Sequence, residues 1–150
     1  MLFLIRGLPG SGKSTYAKSL KKGMDCMCIH VEADMFFTDI SGNYNYNPEK
    51  VVEAHEWCQR VCRDALNIGA AVIVANTFTR IREMQPYMDM ATDLGIPYAI
   101  VHVIGNFQNI HGVPEEVIEK MRERWEPCAE EYEIEFCGEN NLPNLLYYSR

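Results

Sequence analysis

Long apolar runs are missing from this chain of 150 residues. Apolar residues make up 47% of it, ordinary for a globular protein. Its longest apolar stretches fall far short of the roughly 20 residues that a membrane-spanning helix needs, so no membrane association is expected. No leader is expected either: Met1 runs straight into the apolar Leu2-Phe3-Leu4-Ile5, with no basic segment ahead of it. A cytoplasmic location is the expectation. Repeats, low-complexity tracts and Pro/Gly/Ser-rich linkers are also absent. At this length a single domain over residues 1–150 is expected, large enough to bury a core.

A C-x-x-C pair is lacking too, although there are six cysteines. Cys26 and Cys28 flank Met27, Cys58 and Cys62 stand one helical turn apart, and Cys128 and Cys137 are scattered near the end. That spacing argues against a zinc ribbon or a thioredoxin-like site and for reduced, buried thiols. Positive charge is in short supply. Fourteen Lys and Arg stand against 21 Asp and Glu, a net charge of −7. This counts against wrapping a long nucleic acid, which takes many Lys/Arg–phosphate contacts. Contact with one end of a strand asks only for a locally basic surface.

What is present begins with Gly7-Leu8-Pro9-Gly10-Ser11-Gly12-Lys13-Ser14. It reads G-x-x-x-x-G-K-S, follows an apolar strand and precedes a helix beginning Thr15-Tyr16-Ala17, which is the context a phosphate-binding P-loop requires. Its glycines permit a tight turn with inward-pointing N–H groups, and the helix adds its positive dipole end. Lys13 is placed to reach β- and γ-phosphates, and Ser14 to put its hydroxyl on Mg²⁺. The expected ligand is ATP, held by residues Gly7 to Thr15.

The next elements alternate. Met27–Val31 reads as a short strand, and just past it stand Glu32 and Asp34. Ligands of open α/β sheets lie beyond the carboxyl ends of strands, which places Asp34 near the P-loop as a general base or an outer-sphere Mg²⁺ partner; the same residue also suits a helix N-cap. Glu32 is the weaker candidate. The loop 40–47 carries Tyr44 and Tyr46, which either stack on a base or pack the loop onto the domain. Asn47-Pro48 opens a helix ending at Gly69. Ala70–Ala75 is a continuous apolar run, the mark of a central parallel strand. At its end Asn76 and Thr77 stand where P-loop enzymes often carry an acid; they either orient the acceptor or a Mg²⁺-bound water, or merely cap the strand.

Thr79 starts another helix, in which Pro86 is expected to kink or restart the turn. Met84, Met88, Ala91 and Leu94 read as its core positions. Arg80 and Arg82 are the cations nearest the preceding strand end, placed for an acceptor phosphate or simply solvated. Tyr98–Val103 is the fourth strand. Residues 105–112 are polar with no Lys or Arg, and Pro114 opens a helix with Val117, Ile118, Met121 and Trp125 inward. Residues 105–124 have the position of a lid that brings a cation to the γ-phosphate; Lys120, Arg122 and Arg124 are available, against the alternative of a Glu116–Lys120 pair on a solvated helix. In the tail, 127–150, Tyr132–Phe136 and Leu145–Tyr148 are both candidate strands.

Several blocks taken together resemble a known family. They are GLPGSGKST at 7–15, ADMFF at 33–37, YNYNPEKVVEAHEWC at 44–58, VIVANTFT at 72–79 and NIHGVPEEVIEKMRERWE at 109–126. They are similar to the P-loop kinase domain of bacteriophage 5′-hydroxyl polynucleotide kinase and its phage and eukaryotic predicted-kinase relatives. The resemblance implies a three-layer α/β P-loop NTPase fold, nucleoside/polynucleotide-kinase-like, with a four- or five-stranded, mostly parallel sheet and a short lid. It also implies Mg²⁺-dependent transfer of phosphate from ATP to a 5′-hydroxyl end of DNA or RNA. By that match Lys13 and Ser14 bind phosphate and metal, and Asp34 activates the acceptor hydroxyl. The chain departs from the pattern at Phe37, where an acceptor-contacting arginine is expected; at Gln108-Asn109-Ile110-His111, where the lid arginines would stand; and at Asn76, where a carboxylate would.

Lys13, Asp34 and Arg124 are thus the expected catalytic residues. Asp34, Asn76, Thr77 and Arg80 are expected on the acceptor side, with His111 and Lys120 in the lid. Two rival functions share the scaffold: a kinase for a small nucleoside-like molecule or other metabolite, and a nucleotide-binding module with little transfer.

Overall fold

The computed structural model describes residues 1–107, 109 and 111–136. Its frame is one five-stranded sheet: β1 (Leu2–Arg6), β2 (Cys28–Val31), β3 (Ala71–Asn76), β4 (Tyr98–Ile104) and β5 (Glu131–Glu135). The strands lie in the order β2-β3-β1-β4-β5, all parallel. The all-parallel arrangement follows from what connects the strands, since helices intervene and must cover both faces. The helices are α1 (Lys13–Lys22), α2 (Val51–Asn67), α3 (Ile81–Asp93) and α4 (Glu115–Glu123).

Alternation along the central strands divides the core in two. Leu2, Leu4, Val72 and Val74 point to one face and pack with Cys58, Cys62, Met84 and Tyr87 of α2 and α3. Phe3, Ile5, Ile73 and Ala75 point to the other and pack with Tyr16 and Ala17 of α1 and with Ile134. Every residue of β1 and of β3 is buried, which is why these strands read as unbroken apolar runs. The chain leaves the C-terminal end of β1 for α1 on one side of the sheet, while α2 and α3 cover the other. The crevice of such an open sheet opens where the order of strands reverses, here beside β1 with the tips of β2 and β3 as neighbours.

Several local expectations change. α1 starts at Lys13 rather than Thr15, so Lys13 and Ser14 are its first residues. Asn47 does cap, accepting from the Glu49 N–H at 2.9 Å, but what it caps is a single 3₁₀ turn, Pro48–Lys50, ahead of α2. α3 starts at Ile81 and runs through Pro86 without restarting. The proline removes one N–H from the ladder, and the buried Met84, Tyr87 and Met88 hold the helix on either side of it. Leu94 is 43% exposed, a cap beyond α3 instead of a core residue. Trp125 lies past the end of α4, half-buried. Of the two tail segments, the first is a strand, β5, paired with β4. Leu145–Tyr148 and Cys137 lie outside the described residues. The described cysteines are all free thiols, and burial pushes those of Cys58 and Cys62 up to about 12. Among the described residues no helix is long and apolar enough to cross a membrane.

Candidate active site

The P-loop is clamped from both sides. The Gly7 N–H donates to the Thr77 carbonyl at 3.3 Å, just past β3, and the Phe107 N–H donates to the Gly10 carbonyl at 2.7 Å, just past β4. Gly10 and Gly12 sit at φ +82° and +89°, where a side chain is strained. A Cβ at Gly10 would meet the Phe107 carbonyl at 2.8 Å, and one at Gly12 the Phe136 ring at 2.9 Å. The glycines are thus required by neighbours as well as by the turn. Gly12 leads into α1, so the free N–H groups of that helix open beside Lys13 and Ser14. Burial lowers the Lys13 ammonium from the usual lysine value, while the carboxylates of Glu32 and Asp34 oppose the shift. Thr15 is exposed.

The tip of β2 brings two carboxylates to this turn, in different settings. Glu32 is 6% exposed. Its Oε2 accepts from the Ser14 hydroxyl at 2.8 Å, and its Oε1 lies 2.8 Å from His30 Nε2 without the alignment of a hydrogen bond. Burial pushes the Glu32 carboxyl up, yet His30, the Ser14 hydroxyl and the Lys13 ammonium together hold it below the usual glutamate value. Asp34 sits in the 3₁₀ turn Ala33–Phe37 and is half-exposed. Its Oδ1 accepts from the Tyr44 hydroxyl at 3.0 Å, and its Oδ2 lies 3.4 Å from His111 Nε2. The Tyr44 ring stacks near Tyr46, with centroids 6.5 Å apart and planes 19° from parallel, and meets the His111 ring at 4.7 Å. Phe37 packs edge-on to both tyrosines.

Asn76, at the tip of β3, joins the two strand ends. Its Oδ1 accepts from the Ala33 N–H at 2.9 Å, which fixes the turn carrying Asp34, while its Nδ2 is buried without a hydrogen-bond partner. Thr77 gives its carbonyl to Gly7. Among the described residues Phe78 is the non-glycine residue with positive φ, +45°, a conformation that costs about 1–3 kcal/mol and persists only where the surroundings impose it. Arg6 imposes it. That guanidinium is fully buried and donates to the Phe78 carbonyl through Nε at 3.0 Å and through an Nη at 2.7 Å. It also donates to the Glu126 carbonyl at 2.9 Å, pairs with Glu131 at 2.7 Å and lies over the Trp125 ring at 4.0 Å. Arg80 begins the α3 cap: its N–H donates to Glu83 Oε2 at 3.2 Å.

On the far side, Phe107, Asn109 and one face of α4 approach the P-loop. A groove of about 360 Å³ is lined by Leu8, Pro9, Phe107, Asn109, Ile118 and Arg122, among others. Of Lys120, Arg122 and Arg124, Arg122 lines this groove beside the P-loop, carried on the Ile118 side of α4 and paired with Glu115 and Glu119 of the same helix. The Arg124 Nε donates instead to Thr79 Oγ1 at 3.0 Å, and Lys120 is exposed. Sequence reasoning passed over Arg6, whose partners lie 72 to 125 residues away, and left Arg122 undistinguished. A signal for the latter was available: Ile118 and Arg122 are four apart and share a helix face.

Together these groups gather an anion cradle, an ammonium, a hydroxyl beside a buried carboxylate and a second, reachable carboxylate. The hydroxyl and carboxylate oxygens are hard donors of the kind Mg²⁺ prefers.

An AAA domain family model (AAA_33) matches residues 2–105, and the chain belongs to that family. It is 32% identical over 136 residues to human NEDD4-binding protein 2, a match covering 84% of this chain and 8% of that protein. The chain therefore spans a small fraction of that relative's length. Among solved structures it is similar to Chaetomium thermophilum Kti12 in complex with ADP-AlF3, with a TM-score of 0.70, 14% identity and coverage of 91% and 90% of the two chains. It is similar also to a gluconokinase from Sinorhizobium meliloti, with a TM-score of 0.58, 14% identity and coverage of 88% and 80%. A chain of the Pnkp1/Rnl/Hen1 complex gives a TM-score of 0.55 at 22% identity, over 79% of this chain and 38% of that one. The fold is the three-layer α/β fold of P-loop kinases.

Proposed function

We propose that the protein is an ATP-dependent kinase that transfers the γ-phosphate to a hydroxyl at the 5′ end of DNA or RNA. The observation that carries this reading is Asp34: a reachable carboxylate at the β2 tip, beside the Lys13 ammonium, already accepting a bond from a hydroxyl, that of Tyr44. An acceptor hydroxyl takes the place of the Tyr44 hydroxyl and gives its proton to Asp34 as it attacks. The P-loop N–H groups and Lys13 hold the β- and γ-phosphates in line. Ser14 would hold Mg²⁺, which when bound offsets charge on those phosphates. Asn76 fixes the turn that aims Asp34. Arg122 meets the transferring group from the lid, or Arg124 does on releasing Thr79. The rings of Tyr44 and Tyr46 beside Asp34 favour an acceptor that carries a base. The nucleotide of the Kti12 structure and the block resemblance to polynucleotide kinase support the same reading.

A second reading, a small-molecule kinase, is favoured by the net charge of −7 and by Phe37 in place of an acceptor-contacting arginine. Labelled ATP offered with a 5′-hydroxyl oligonucleotide and with a panel of nucleosides and sugars separates the two. Label on the oligonucleotide is expected; label on a small molecule alone replaces the first reading by the second. Asp34→Asn is expected to lower transfer by about 10²–10⁴-fold with ATP affinity intact, and unchanged transfer removes Asp34 from its role.

A further inference from the structure

We propose that Glu32 is the carboxylate that positions the metal of the bound nucleotide, and that it replaces from β2 the acid that β3 does not supply. The inference rests on the nucleotide-binding reading of the P-loop and adds a residue to it. The tip of β3 carries Asn76, whose oxygen is already committed to the Ala33 N–H and whose free end is an amide N–H₂, a donor that cannot ligate a cation. The tip of the adjacent strand carries Glu32, and β2 and β3 are hydrogen-bonded neighbours. A carboxylate moved one strand over therefore reaches the same crevice.

The surroundings of Glu32 fit that task better than they fit a structural one. Its side chain is 8% exposed, and a carboxylate so deeply placed is tolerated only when ionised partners or strong donors surround it. Its hydrogen-bonded partner is Ser14, the hydroxyl by which a P-loop holds its metal. A serine that donates its hydrogen bond to a carboxylate has its rotor fixed, and its two lone pairs are turned away from the acid. Glu32 thus orients the Ser14 oxygen and brings negative charge beside a cation held there, as outer partners of metal ligands do. The other oxygen, Oε1, lies 2.8 Å from His30 Nε2, so the imidazole backs the carboxylate on the side away from Ser14 and leaves Oε2 on the hydroxyl. Asp34, two residues on, is half-exposed and tied to Tyr44 and His111. The two carboxylates divide the work, the inner one on the metal side and the outer one on the acceptor side. Glu32 in this scheme is a positioning residue.

The test is calorimetric titration of the whole chain with AMP-PNP, with and without saturating MgCl₂, for the wild type and Glu32→Gln. In the wild type MgCl₂ is expected to tighten binding. In Glu32→Gln about tenfold or more of that gain is expected to vanish, while metal-free affinity stays equal or rises because a negative charge has left the phosphate site. Moving the acid back, as Glu32→Gln with Asn76→Asp, is expected to restore part of the gain. A Mg²⁺ gain unchanged in Glu32→Gln overturns the proposal. So does an equal loss of metal-free and metal-dependent affinity, which marks Glu32 as purely structural. If Glu32→Gln does not fold, Glu32→Asp, which draws the carboxylate back by one methylene, is read the same way: a reduced gain supports the proposal and a full gain overturns it. A wild type that binds no AMP-PNP in either condition instead removes the nucleotide reading itself, and this inference with it.

Discussion

The two flanks of the P-loop are built differently. On the β2–β3 side the polar groups are locked to one another across strands: Ser14 to Glu32, Ala33 to Asn76, Gly7 to Thr77. On the β4–α4 side the bonds are mostly local. Arg122 pairs within its own helix, and Asn109 Nδ2 donates to the Val113 carbonyl four residues on. Phe107 is 45% exposed, and its backbone N–H ties this flank to the P-loop at Gly10. In-line transfer asks for this division. On the proposed function, the groups that would hold phosphate and metal and take the proton sit on the locked flank, and the segment that would cover the substrate sits on the looser one.

The comparison can be broken most sharply at Lys13. Lys13→Ala is expected to lower transfer by about 10²–10³-fold and to weaken ATP binding in titration; a variant that keeps both shows that the locked flank is not a phosphate site. Next in size is Glu131→Gln, which leaves the buried Arg6 guanidinium without its counter-charge. A loss of about 3 kcal/mol in a denaturant titration is expected, with ATP affinity of the folded protein unchanged. A loss in affinity instead would mean that Arg6 reports on the site and not only on the frame. Arg122→Ala is expected to reduce kcat/KM about tenfold or more while leaving the melting curve in place, since exposed ion pairs contribute about 0–1 kcal/mol. If Arg124→Ala has that effect and Arg122→Ala has none, the lid cation is Arg124 and the groove lining is incidental.

The smallest effect is on pH. Burial lowers His102 from its usual value of 6.5, with Arg6 adding to the shift and Glu131 and Glu133 opposing it. The folded protein therefore stays neutral there while the unfolded chain takes up a proton, and stability falls as pH drops below about 6.5. Glu32 is lowered from 4.5, so its contribution is full above that value and is lost as pH falls through its folded value. An acid titration of stability should show both limbs. His102→Gln should remove the upper limb and Glu32→Gln the lower; curves unchanged by both variants would show that these groups do not set the acid response.

Much of this was readable from the residues, and what was not has a common cause. The P-loop, the strand tips bearing Asp34 and Asn76 and the alternation of strands with helices are local patterns, and local patterns carry the fold. Whether Tyr44 packs or binds depends on the Asp34 oxygen ten residues away. The weight given to Glu32 depends on Ser14, 18 residues away, and the burial of Arg6 on a strand at the other end of the chain. Spacing along a sequence does not encode such partners. Pro86 and Leu94 were misjudged for a related reason, since tertiary packing decides what a helix end or an interior proline does.

Arg6 also has a bearing on synthesis. Its counter-charge, Glu131, is made 125 residues later, on the strand at the far edge of the sheet. While the chain is still being translated, at about 5–20 residues per second, the central strand carries a cation that has nothing to neutralise it. Burying it before the polypeptide past residue 131 has left the ribosome costs about 3 kcal/mol or more. The same arginine that keeps the finished domain in order thus disfavours early burial of the central strand and ties its closure to the arrival of the edge strand.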